Sequence, residues 1–354
     1  MKKTLLAILA TVAMVACSND EIVREAAPEA IGFDNAFVNN STRSVVTPGY
    51  TNTEEGIFED FSVYGFVEGA TLFNGVEVSK NYDNPKLTSG WEYEETQYWI
   101  TGAKYAFYAV APHYESVNYW AAVKDQTNPA STGATITFTT TDGAQDLLYA
   151  PIVARQGGDG LGAVAFNFKH ILSRVKFSFK NGYNASAATI RVRDIMITNA
   201  YKTGEATLAV DNAATTDVDE TVAWGNRAYG ANDFVISFGN ATDDESTPAK
   251  ESVDVAYAWN NTYESYSERL LIPGNQTWNI SFVVDLLVSG KVIKTYKHTA
   301  TADIELKPGA SYDIAAEITA ANIDPNNEQE PIEFTATMTD WSDAENKTAT
   351  VVTK

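Results

Sequence analysis

The chain has 354 residues and a single cysteine, Cys17. No disulfide can form within it, and a thiolate zinc site lacks its second sulfur. Histidine is almost as scarce: His113, His170 and His298 are the only three. They are scattered and have no ligand-spaced partners, so each reads as a strand or loop residue rather than a base or a metal ligand. Positive charge is short as well. Lys and Arg number 25 against 46 Asp and Glu, a net charge of −21. Such a surface repels nucleic acid and anionic lipid heads, and no basic patch with interleaved aromatics offsets it. Beyond the first sixteen residues there is no long apolar run, so no second membrane segment is expected. Sustained 3.6-residue periodicity is absent too.

The motifs of catalysis are missing in the same way. Gly158-Asp159-Gly160-Leu161-Gly162 has a glycine spacing but precedes an alternating strand, so it reads as a hairpin loop and not a dinucleotide cradle. Asp217-Val218-Asp219-Glu220 and Asp243-Asp244-Glu245 lack the full calcium-loop spacing and read as solvated charge. Carboxylates are so plentiful that a pair of them carries no weight, and nothing marks a raised-pKa acid beside a nucleophile. The expectation is a protein that is not an enzyme and uses no cofactor and no metal.

What is present begins at the N-terminus. Met1-Lys2-Lys3 is a short basic stretch, and Thr4 to Ala16 is a continuous apolar one, too short to span a bilayer. Residues 1–16 therefore read as a signal peptide. Met14-Val15-Ala16-Cys17 resembles a bacterial lipobox, which makes Cys17 the candidate for lipidation. Two or more acyl chains form a stable anchor, each buried methylene contributing about 0.8 kcal/mol. Ser18-Asn19-Asp20-Glu21 resembles the acidic signal that sends some lipoproteins to the outer face of the outer membrane. Residues 17–29 are polar and unpatterned, a lipidated tether.

Beyond residue 29 the chain alternates apolar and polar residues in short runs. Ile31, Phe33 and Phe37 share one parity. Phe61 to Phe66, Lys104 to Ala111, Thr135 to Thr139 and Ala163 to Phe168 follow. Val175 to Phe179, Ala188 to Thr198, Trp278 to Val284, Ile304 to Leu306, Tyr312 to Ile314 and Ile332 to Met338 continue the pattern. Val, Ile, Thr and aromatics dominate these runs, with Gly, Asn, Asp and Pro between them. That is the pattern of β-sandwiches. The length suits two domains. Their boundary is placed near residue 172, giving an N-terminal sandwich over 30–172 and a C-terminal one over 173–354.

Several segments together resemble the fimbrillins, the subunits of type V pili. They are FSVYGFVEG and YWITGAKYAFYAVAP within 61–112, DLLYAP at 146–151, and FNFKHILSRVKFSFKN at 166–181, which is similar to the family's F-x-H-x-L-S-x-V segment. LKPGASYDIAAEI and IEFTATMTDWSD, ending after Asp340-Trp341, complete the set. The resemblance implies an all-β chain of two tandem transthyretin-like sandwiches. It implies export as an outer-membrane lipoprotein, proteolytic removal of the N-terminal segment after an arginine, and assembly with other pilin subunits by donor-strand exchange, with a role in adhesion at the cell surface.

In that scheme residues 31–38 supply the first strand of the first domain, and Ile31, Phe33 and Phe37 are the side chains released with it. Removing a core strand leaves a groove that another strand can fill. Three to four large side chains entering it contribute roughly 5–10 kcal/mol by area. Arg43 lies in the polar stretch Asn39–Arg43 and is the candidate cleavage residue. A cut there detaches Cys17 and frees the strand. Arg24 is a second basic site, but cutting there frees only the lipid. Residues 332–341 read as the last strand of the second domain, and 345–354 as a mobile donor tail. The competing reading is a monomeric surface glycan-binding lipoprotein of tandem β-sandwich domains, with Trp91, Trp99 and Trp120 as sugar platforms. The sequence does not distinguish a shaft, tip or anchor role.

Overall fold

The computed structural model describes residues 28–38, 60–80, 90–113, 134–158, 160–183, 188–208, 222–231, 234–238, 252–255, 264–265, 268–323, 330–340, 346–349 and 351–353. The chain is all-β, with one short helix among these residues. Seven strands precede residue 172. They are β1 (Phe33–Val38), β2 (Asp60–Val67), β3 (Ala70–Ser79), β4 (Lys104–Ala111), β5 (Ala134–Thr139), β6 (Leu148–Gln156) and β7 (Val164–His170). After it come β8 (Ser173–Asn181), β9 (Ala188–Thr198), β10 (Tyr201–Leu208), β11 (Val222–Tyr229), β12 (Val235–Ser237), β13 (Ser252–Val255), β14 (Glu264–Ser265) and β15 (Arg269–Leu271). The long hairpin of β16 (Gly274–Val288) and β17 (Lys291–Leu306) follows. Then come β18 (Ala310–Ile318), helix α1 (Ala320–Ile323), β19 (Phe334–Asp340), β20 (Asn346–Ala349) and β21 (Val351–Thr353).

The first sheet has the order β1-β7-β6-β4-β2-β3. One face carries Phe61, Val63, Phe73, Tyr105, Phe107, Phe166 and Phe168, which are covered by Trp91, Tyr93 and Trp99 from the 90–100 segment. The opposite face is covered too. Tyr64, Phe66, Tyr108, Val110 and Tyr149 pack against Ile136, Phe138, Ala206, Val222 and Trp224 of a three-stranded sheet, β11-β10-β5. This explains why β2 and β4 are buried along nearly their whole length. Gly65 is needed at the crowded centre: a Cβ there would lie 2.6 Å from Phe73 Cδ2 and 2.9 Å from Phe107 Cδ1.

The three-stranded sheet joins strands from either side of residue 172. β5 pairs antiparallel with β10, from Thr139↔Thr203 to Ala134↔Leu208. One partner lies before residue 172 and the other after it. Trp224 Nε1 donates to Ile171 O at 2.9 Å in the same cluster, at the connection from β7 to β8. β7 ends at His170 and β8 begins at Ser173, while β10 and β11 reach back across this point to β5.

The C-terminal sandwich packs β12-β9-β16-β17-β21, with β13 also on β9, against β14-β8-β18-β19-β20, with β15 also on β8. Its core interleaves Phe177 and Phe179, Ile190 to Ile197, Trp278 to Leu286, Tyr312 to Ile318, and Phe334. The buried residues recur at every second position, as a sheet with one buried face requires, except in β9, where a bulge at Arg193–Asp194 shifts the parity between Val192 and Ile195. Ile332, Phe334 and Ala336 are buried here, so this stretch is a core strand of the second half. The tail expected to be mobile is paired: β20 lies on β19, and β21 lies on β17, so it touches both sheets.

Candidate assembly site

β1 holds the edge of the first sheet and runs parallel to β7, with Phe33 opposite Val164 and Val38 opposite Phe168. Parallel pairing at an edge follows from topology, because the long excursion through β2–β6 returns the chain in the same direction. Val164 N donates to Gly32 O at 2.8 Å. The other rim is the 90–100 segment. Ile31 N donates to Gln97 O at 2.8 Å, Trp99 N donates to Glu29 O at 2.9 Å, and Phe33 bridges Trp91. At the mouth, Gly160 N donates to Glu29 Oε2 at 2.8 Å. Residues 29–34 therefore lie in a slot with hydrogen bonds on both sides.

The floor of the slot is aromatic. Ile31 and Phe33 are both 0% exposed. Phe33 stacks on Phe166 with ring centroids 5.8 Å apart. It meets Phe73 at 5.5 Å and Phe107 at 6.1 Å edge-on, Phe61 at 6.5 Å edge-on, and Tyr93 at 5.5 Å tilted. Five rings enclose one. Edge and offset contacts of this kind each add about 0.5–1.5 kcal/mol beyond area burial.

One polar contact reads the backbone from below. The Tyr93 hydroxyl donates to Ile31 O at 2.7 Å and accepts from Gln97 N at 3.1 Å. Burial pushes the Tyr93 hydroxyl up to about 12, against a smaller downward pull from the Gln97 amide. It is thus a neutral donor at every physiological pH, fixed on one carbonyl. Tyr93 carries no motif in the sequence. Its role needs the 90–100 segment folded back over β1, which no local pattern encodes.

Of the candidate site residues, Ile31 and Phe33 lie together in this slot. Phe37 is in β1 opposite Asn167. Cys17, Arg24 and Arg43 lie outside the described residues, as does Trp120. Trp91 and Trp99 are buried in the first core, each 6% exposed, so neither offers a face to a sugar. The histidines are structural. His113 Nδ1 lies 2.8 Å from Ser62 Oγ. His170 Nδ1 lies 2.8 Å from Asp146 Oδ2, both buried. His298 is buried and stacked on Phe282 at 5.4 Å. Burial lowers its pKa. Among the described residues no group of three metal-ligating side chains converges, and no helix is long and apolar enough to cross a membrane.

A fimbrial protein from Bacteroides vulgatus shares this fold at a TM-score of 0.58, with 17% identity over 88% of this chain and 99% of the other. Two candidate cell adhesion proteins also align. One, from Bacteroides uniformis, has 14% identity over 88% of this chain and 98% of its own, with a TM-score of 0.41. The other, from Bacteroides ovatus, has 14% identity over 92% and 98%, with a TM-score of 0.42. No curated protein matches the sequence. The fimbrillin-like family description matches residues 42–341, well over half of the sequence, and the chain belongs to that family.

Proposed function

We propose that the chain is a structural subunit of a cell-surface pilus, exported as a lipoprotein through Cys17 and assembled by donor-strand exchange. In this reading a protease cuts after Arg43, β1 leaves with the lipidated segment, and a strand from another subunit fills the slot. The second product of assembly is adhesion at the outer face of the outer membrane. The tandem transthyretin-like sandwiches of this reading divide near residue 172, with β10 and β11 of the second half completing the layer over the first sheet, and 345–354 is this chain's own donor.

The observation that carries the reading is the position of β1. It is an edge strand whose two buried side chains fill an aromatic core, and Arg43 lies between it and β2. An edge strand can depart without breaking the ladder of the strands that remain, whereas a central one cannot. Family membership and the fold shared with a fimbrial protein support the same reading.

The test is the mature N-terminus and polymer state of the native surface protein, by mass spectrometry beside a gel run without boiling. A start at Ser44 with a ladder of high-mass species is expected. An acylated Cys17 on a monomer overturns the cleavage step.

A further inference from the structure

The slot under β1 has a shape that the chain's own tail does not fit. This rests on the reading that β1 leaves its slot. Ile31 and Phe33 occupy two neighbouring sites on one face, separated by one residue, and both are fully enclosed. The Phe33 site is bounded by the rings of Phe61, Phe73, Tyr93, Phe107 and Phe166. Tyr93 donates to the carbonyl of the residue in the Ile31 site, so a strand seated there must bring a carbonyl to that point. A strand that fills this slot must therefore present a branched aliphatic residue, one spacer, and an aromatic residue.

The tail reads Ser342 to Lys354, SDAENKTATVVTK. It holds no aromatic residue and no Leu, Ile or Met. Its only large apolar residues, Val351 and Val352, are adjacent, and adjacent strand residues point to opposite faces. Any register therefore sends one valine into the slot, flanked at two residues by Thr350 and Lys354, or by Ala349 and Thr353. The Phe33 site would be left with a void or a hydroxyl among aromatic rings. A void in a packed core costs free energy in proportion to its volume. The chain does contain a matching stretch nearby, Ile332-Glu333-Phe334, but it is committed. Ile332 and Phe334 are buried in the C-terminal core, where Phe334 meets Phe177 at 5.8 Å and Phe282 at 5.9 Å.

We infer that the partner strand in this slot comes from a different polypeptide, one carrying an aliphatic-x-aromatic donor, and not from residues 342–354 of a second copy of this chain. The subunit then sits at a junction between unlike subunits, receiving an aromatic donor below and offering a small, valine-bearing tail above.

The test uses the full chain with a specific protease sequence in place of Ser41-Thr42-Arg43. The cut protein is incubated under mild denaturant with each of three synthetic peptides and read by native mass spectrometry and anisotropy. The peptides are residues 28–38, residues 342–354, and residues 342–354 with Thr350→Ile and Val352→Phe. The first and third are expected to bind, and the native tail to bind at least about 100-fold more weakly. A native tail that binds within about tenfold of the redesigned one overturns the inference while leaving strand release standing. If no peptide binds, residues 28–38 included, release of β1 is wrong and the inference falls with it.

Discussion

At the scale of single residues, two kinds of site carry weight. Phe33 is the centre of the first core. Truncating it to Ala in the intact chain should cost about 3–5 kcal/mol, the range for removing a buried Phe. Urea unfolding followed by tryptophan fluorescence measures it, and a loss below about 1 kcal/mol would mean that the slot relaxes around the gap. The second kind is ionic. Asp285 is buried on the sheet of β9, β16 and β17, where Arg193 Nε and Arg191 Nη2 reach it at 2.9 Å and Thr295 Oγ1 donates at 2.6 Å. Burial alone would raise its carboxyl, but the bonds from Arg193, Thr295 and Arg191 outweigh that and hold it below the ordinary carboxylate range. Its stabilisation is therefore present above that range and lost as pH falls through the lowered value. His298 acts in a different window. Its pKa is lowered from 6.5 by burial, so charging it is more costly in the folded state than in the unfolded one. Stability should fall as pH drops below about 6.5 and level off once the folded ring is protonated. Thermal melts from pH 8 to pH 3 should show both declines. His298→Phe should remove the one that starts near neutrality and leave the acidic one; an unchanged profile in that variant would refute the assignment.

At the scale of elements, edges govern what can leave. β20 and β21 are outer strands, one on each sheet of the C-terminal sandwich. Deleting 342–354 should leave a folded monomer, because β19 and β17 keep their inner neighbours, β18 and β16. The same truncation should abolish polymerisation. Circular dichroism and an unboiled gel check the two halves of this prediction, and normal polymers would sink the tail's role as donor. The legibility of the elements differs. β8 and β19 are plain in the sequence because each buries mainly one face, and β9 and β16 remain legible although bulges interrupt their alternation. β2 and β4 were seen as strands, but their two-sided burial was not. FSVYGFV and KYAFYAVA carry bulky residues on both parities, which local pattern reads only as high hydrophobicity. The tail is paired and not mobile over β20 and β21, and seven backbone-paired residues leave little trace in a polar sequence.

At the scale of the molecule, the β11-β10-β5 sheet ties the halves together. Trp224 packs in the shared cluster and donates to Ile171 O, and Gly204 of β10 makes room for it, since a Cβ there would lie 2.9 Å from its ring. Because this cluster draws residues from both sides of 172, thermal unfolding should be a single transition by calorimetry. Trp224→Ala should split it into two, and a wild type that already melts in two independent steps would show that the halves are not coupled. Alternation and turn residues determined by themselves that the chain is all-β, and that Ile31 and Phe33 share one side. Only the tertiary structure decided which strands meet: β1 with β7 in parallel, the 90–100 segment over β1, and β5 with β10 across the midpoint. The reason is physical. A period of two fixes which way a side chain points, whereas partner choice is a long-range pairing set by the packing of whole sheets.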